Sequence, residues 1–109
     1  MGMDESRVGQ VAVIFTSQRN GRDPAGYDAA AAAMDALAAA QPGYRGVDSA
    51  RGTEGLGITV SYWADDAAAK AWRDNPEHAA VREQGRARWY DRYTVAVARV
   101  ERGYAWSAG

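Results

Sequence analysis

The chain has 109 residues, 47% of them hydrophobic, with 13 basic against 14 acidic side chains, one histidine and no cysteine. That is enough for one domain with its own core, but a domain of this size buries only about 60–65% of its unfolded surface, so a second subunit would add stability. A net charge of −1 gives no basis for nucleic-acid or membrane-surface binding, and without cysteine there is no disulfide, thiolate nucleophile or Cys-ligated metal; a single histidine also excludes a multi-His metal site within one subunit.

Residues 8–17 are rich in β-branched and aromatic side chains. Val11, Val13 and Phe15 alternate with Ala12, Ile14 and Thr16, which predicts a strand covered at least partly on both faces. The stretch RNGRDP is a turn, with Asp23 suited to the N-cap and Pro24 to the first position of a helix over 24–41. In that helix Tyr27, Ala30, Ala31, Met34, Leu37 and Ala38 recur at core spacing, and the remaining alanines are helix-favouring filler. Pro42-Gly43 stops it.

Residues 44–51 make a weaker strand, followed by a turn over 52–55. Residues 56–63 (LGITVSYW) are the clearest strand, with Leu56, Ile58, Val60 and Tyr62 on one face and Thr59, Ser61 and Trp63 on the other. Asp65 or Asp66 caps a helix over 67–74 that presents Trp72 on a different side from Lys70 and Asp74. Asn75-Pro76 starts a third helix running to about Trp89, with Gly85 weakening it by about 1 kcal/mol relative to alanine. Residues 92–100 form a last strand, and 103–109 a tail containing Tyr104 and Trp106.

The order β-α-β-β-α(α)-β is the ferredoxin-like split βαβ of an α+β protein, with a four-stranded antiparallel sheet and its helices on one face. The whole chain, 1–109, is one domain, with 1–7 expected to be disordered. Strands one, three and four carry apolar or aromatic residues on both sides, so the face without helices would be a large exposed apolar patch. Two such sheets packed face to face would cover it, and a homodimer is expected.

No apolar run reaches the roughly 20 residues that span a bilayer, and the polar start MGMDESRVGQ lacks the apolar stretch of a signal peptide. Gly2…Ser6 fits a loose N-myristoylation pattern short enough to arise by chance. A cytoplasmic protein is expected. Dinucleotide binding is not, since GVDSARG and GTEGLG lack the strand–turn–helix setting of a nucleotide-binding glycine motif. No phosphate-binding loop, GxSxG elbow or catalytic carboxylate pair is present.

The blocks VAVIFTSQR (11–19), QPGYRGVDSAR (41–51), GITVSYWADDAAAKAW (57–72), EHAAVREQGRARWYDRYTV (77–95) and RVERGY (99–104) resemble the antibiotic biosynthesis monooxygenase family, above all its heme-degrading-like branch. The strand end SYW, a capped helix ending in tryptophan, and PEH carry most of the likeness. The resemblance implies a dimeric α/β barrel. It also implies a dioxygen-dependent oxidation of a planar aromatic substrate in a cavity between helices and sheet. One variant of that chemistry is free of metal and flavin and turns anthrone-like rings into quinones; the other uses heme to open the porphyrin itself. A non-catalytic dimer holding a small hydrophobic ligand or heme is the alternative, and a protein selected only for assembly is a third.

On this resemblance the catalytic candidates are His78, Trp72 and Gln18. His78 is the one imidazole, suited to general base work or, if heme is bound, to iron, although a polar residue in a first helical turn also serves simply as a cap. The ligand histidine of heme-degrading relatives falls where this chain has Arg82, four residues after His78. Trp72 matches a tryptophan that presses on the macrocycle and equally fits a core anchor. Gln18 stands near a first-strand asparagine that donates to bound substrate. Substrate-contacting candidates are Phe15, Tyr62, Trp63 and Arg82; Tyr62 and Trp63 point to opposite faces, one toward the core and one toward a ligand. Trp89, Tyr90 and Tyr93 read as packing or dimer contacts. Arg82, Arg86 and Arg88 suggest an anion patch but are interspersed with Glu77 and Glu83, as on a solvated helix face.

Overall fold

A computed structural model describes residues 7–109; the expectations for Gly2, Ser6 and the rest of 1–6 lie outside the described residues. The chain runs β1 (Val11–Arg19), α1 (Pro24–Ala39), β2 (Tyr44–Arg51), β3 (Leu56–Trp63), α2 (Asp66–Arg73), α3 (Pro76–Gln84), a π-helical turn (Gly85–Trp89) and β4 (Tyr90–Arg99). The sheet order is β2-β3-β1-β4, antiparallel throughout, so the ferredoxin-like α+β reading holds. Among the described residues no helix is long and apolar enough to cross a membrane.

Register decides the two faces of the sheet. Val11 pairs with Trp63 and Phe15 with Thr59, so the odd-numbered residues of β1 share a face with the odd-numbered residues of β3. This is the helix side. Trp63 is 0% exposed there and packs with Val11, Ala38, Ala69 and Trp72, with Val13, Met34, Leu37 and Tyr44 around them. Its indole N–H donates to Ser61 Oγ at 3.0 Å. Tyr62 lies on the outer face beneath the Arg7 guanidinium, 3.7 Å from the ring centroid. The core spacing expected in α1 is also observed, with Tyr27, Ala30, Ala31, Met34, Leu37 and Ala38 all turned inward and their neighbours exposed.

The caps explain where the helices begin. The Asp23 side chain accepts from Gly26 N–H, Asp65 from Ala68 N–H, and Asn75 from the N–H groups of Glu77 and His78. Each satisfies donors that have no partner within the helix. The third helix differs from its expected form. It ends at Gln84, and Gly85–Trp89 widen into a π turn that swings Trp89 into the interior, where its N–H reaches Asp23 Oδ2 at 3.2 Å. A Cβ on Gly85 would stand 2.8 Å from the Tyr90 ring, so this glycine admits the ring rather than merely weakening the helix. β4 consequently starts at Tyr90, two residues earlier than its composition suggests, and β1 begins at Val11 because 7–9 form a turn.

Candidate functional site

Four of the expected site residues, Trp63, Trp72, His78 and Arg82, meet at one end of the sheet. Trp72 stacks on Trp63 (centroids 5.8 Å, 24° between planes) and His78 on Trp72 (4.2 Å, 8°). His78 Nδ1 lies 2.9 Å from the Trp72 carbonyl oxygen. A carbonyl can only accept, so Nδ1 carries the hydrogen and Nε2 is left as an acceptor. Arg82 Nη1 donates to the next carbonyl, that of Arg73, at 3.2 Å. His78 and Arg82 thus cap the last carbonyls of α2, groups that a helix leaves unpaired. A cleft of about 360 Å³ beside them is lined by Gly43, Ala64, Ala68, Ala71 and Trp72 among others.

Burial lowers the His78 pKa, the Trp72 carbonyl works against that, and the nearby Arg82 charge lowers it further. The ring is neutral at pH 7. Because the folded value lies below the ordinary one, its contribution to stability is complete above about pH 6.5 and is lost as pH falls through the folded value. No other side-chain type ordinarily titrates between pH 5 and 6.5, and this is the chain's single histidine. Thermal unfolding followed from pH 8 to pH 5 should show wild type losing stability in that window and His78→Gln staying flatter; parallel curves would remove His78 as the sensor.

The other expected residues lie elsewhere. Gln18 is on the outer face at the far end of β1, about 23 Å along the strand from the Trp63 pairing, and its amide donates to the carbonyls of Arg19 (3.2 Å) and Glu54 (2.7 Å). It holds the β2–β3 turn and does not meet Trp72 or His78. Tyr62 is likewise on the outer face, its hydroxyl 3.4 Å from Asp48 Oδ2.

Phe15 belongs to a different aromatic group, unrecognised in the sequence as a unit. It contacts Tyr90 (5.5 Å) and Tyr93 (5.1 Å), and Tyr27 of α1 meets Trp89 (5.8 Å) and Tyr90 (6.1 Å) edge-on. Val95 and Val97 pair with Phe15 and Val13, hence lie on the helix side of the sheet, yet they stay 53% and 58% exposed. The helices bury this face over β1 and β3 and leave it open along β4. Beside the opening, Arg86 Nε donates to Tyr93 Oη at 2.7 Å, and its Nη1 to Glu83 Oε1 at 2.7 Å. The result is an exposed apolar strip along β4 with a polarised phenol at its edge.

A sequence model described as antibiotic biosynthesis monooxygenase matches residues 10–84. The chain belongs to the antibiotic biosynthesis monooxygenase family. YqjZ of Bacillus subtilis (strain 168), an uncharacterised protein, is 50% identical over 91 residues, spanning 84% of this chain and 79% of that one. The fold is similar to that of SnoaB, a cofactor-independent oxygenase from Streptomyces nogalater, with TM-score 0.75 at 17% identity over 88% of this chain and 97% of that one. It is similar also to Rv0793 from Mycobacterium tuberculosis, with TM-score 0.71 at 20% identity over 92% and 99%. Family membership and ferredoxin-like architecture therefore agree.

The heme suggested by one branch of this family can be tested on the residues present. Trp72 is only 8% exposed and stacked on its neighbours, so it has no open face to set against a macrocycle. The imidazole lies flat on Trp72 with one nitrogen tied to a helix carbonyl, and Arg82 caps that helix too. As folded, these side chains do not fit a heme. Among the described residues no three His, Asp or Glu side chains gather as a metal site.

Proposed function

We propose that this family member is a monooxygenase that uses dioxygen directly, without metal or flavin, on a planar aromatic substrate held against the exposed apolar strip of β4, and that it works as a homodimer. The observation carrying the reading is that Val95 and Val97 stay exposed on the helix side of the sheet, beside the half-buried rings of Phe15 and Tyr93. Such a surface suits a flat ring system through apolar burial and offset stacking. The description of the structurally similar SnoaB as a cofactor-independent oxygenase points the same way.

In an anthrone-like substrate, loss of a ring CH proton gives an electron-rich carbanion conjugated to an oxyanion. The carbanion donates electrons to O2 and forms a C–O bond. Breaking the O–O bond leaves a ring carbonyl on one oxygen, and the other departs as water, so CH2 plus O2 becomes C=O plus H2O. The protein's share is positioning, exclusion of water and stabilisation of the oxyanion. Tyr93 supports the last role. Its oxygen accepts from Arg86, which leaves its own O–H polarised and free to donate to substrate oxygen.

The test is oxygen uptake with anthrone in the presence of a chelator, with quinone formation followed by absorbance and mass. The expected result is catalysed uptake, one atom of labelled O2 per quinone, and a kcat about tenfold or more lower in Tyr93→Phe. Rates no faster than buffer would sink the reading; saturable anthrone binding without turnover would point instead to a non-catalytic ligand carrier.

A further inference from the structure

The far end of the helix face holds two arginines that no catalytic role above uses. The Arg19 guanidinium lies 3.7 Å from the centroid of the Tyr27 ring, and Arg51 lies 5.3 Å from the same centroid. Arg51 Nη2 donates to Tyr27 Oη and its Nη1 to the Gly55 carbonyl, both at 2.8 Å. Neither arginine enters an ion pair among the described residues, where the pairs formed are Lys70–Asp66, Arg73–Asp74 and Arg86–Glu83. Arg19 Nε and Nη2 are buried without a hydrogen-bond partner in the protein, and so is Ser17 Oγ, whose residue is fully buried.

These groups converge. Arg51, Gly57 and Ser17 stand in one cross-strand row, and Arg19 follows Ser17 by two residues on the same face. A Cβ on Gly57 would stand 2.6 Å from the Arg51 guanidinium carbon, so the glycine makes the seat in which that head group lies. Gly55 has φ 93°, and a Cβ there would come within 2.9 Å of the Arg19 carbonyl, which closes the turn tightly against β1. Both arginines line a cleft of about 340 Å³ with Asn20, Gly21, Pro24 and the 52–55 turn. The acidic side chains nearby are Glu54, which lines the cleft without pairing either arginine, and Asp23, spent on Gly26 N–H and the Trp89 indole.

Leaving guanidinium nitrogens buried and unpaired is costly, and placing two like charges on one ring adds to the cost. A planar anion offsets both, because the guanidinium fork matches the two oxygens of a carboxylate. We propose that Arg19 and Arg51 form a carboxylate-binding site, so that the ligand of this protein is an aromatic acid. The carboxylate-binding site stands on its own geometry; that its ligand is the molecule oxidised rests on the function proposed above.

Binding is measured by calorimetry with 2-naphthoate and its neutral counterpart 2-naphthamide, which separates charge recognition from turnover. Wild type should prefer the acid by about tenfold or more, the range of charge-assisted hydrogen bonds. Arg19→Gln and Arg51→Gln should lose that preference while still binding the amide. Arg51→Lys, which keeps the charge without the fork and so reports even if a glutamine variant misfolds, should retain part of it. Equal affinity of wild type for acid and amide, no saturable binding of naphthoate, or an unchanged preference in the variants would each overturn the site. Competition by inorganic phosphate at equal strength would overturn the carboxylate assignment. None of these outcomes depends on oxygen uptake, so failure of the oxygenase reading is seen separately.

Discussion

Replacing Trp63 by alanine is expected to destabilise the protein by about 3–5 kcal/mol, the range for truncating a large aromatic in a closed core. The indole is 0% exposed in a core shared with Val11 of β1, Ala38 of α1 and Ala69 and Trp72 of α2, and it meets the Tyr44 edge at 5.7 Å. Its loss also strands Ser61 Oγ without its indole donor. Against a total of about 5–15 kcal/mol for a domain, this single change removes about a fifth or more of the stability. Urea unfolding checks it, and a loss under about 1 kcal/mol would mean that Trp63 does not organise the core. Trp63→Phe, which keeps an aromatic face toward Trp72, should lose clearly less.

The same residue shows how far the sequence could be read. Strand alternation placed Tyr62 and Trp63 on opposite faces without saying which was inner, because both are large aromatics at a strand end. Only the pairing of Val11 with Trp63 decides it, and that pairing joins residues 52 positions apart. Local signals were legible wherever the physics is local: the Asp23 and Asn75 caps, the Pro42-Gly43 stop, and the inward stripe of α1. Gly85 was legible as a helix weakness and not as the space for the Tyr90 ring, which depends on the π turn that follows it.

The candidate site divides along the same line. The motif around Trp72 and His78 stood out by residue type, and the fold does bring the two rings together, but as the cap and packing of α2. Gln18 reads in sequence only as the end of the first strand, and the fold puts it on the outer face, far from Trp72 and His78. The exposed strip of β4 and the arginine pair escaped because each depends on the arrangement of several elements. Arg86 reaches Tyr93 across the π turn, and Arg19, Tyr27 and Arg51 meet from β1, α1 and β2. One signal could have found the second group. Gly57 interrupts an otherwise strong strand, and an interior strand glycine often marks the close approach of another group.

The proposed homodimer makes the outer sheet face the place where a single charge has the largest effect on assembly. Leu56 and Ile58 of β3 are 47% and 46% exposed there, flanked by Ile14, Val60, Ala96 and Ala98 on the same face. Covering such a surface is worth roughly 25 cal/mol for each Å² of apolar area removed from water. An aspartate at the centre would have to be desolvated opposite its own symmetry copy, since a two-fold interface brings the same patch together twice. Ile58→Asp should therefore be monomeric by light scattering at micromolar concentration where wild type is dimeric. The separated subunit should keep its fold, because Ile58 is exposed in the single subunit. Val95→Asp, equally exposed but on the helix side, should stay dimeric and lose anthrone affinity instead. A dimeric Ile58→Asp, or a monomeric wild type, would reject sheet-to-sheet pairing. A monomeric Val95→Asp would move the interface to the exposed strip of β4, and the substrate site away from it.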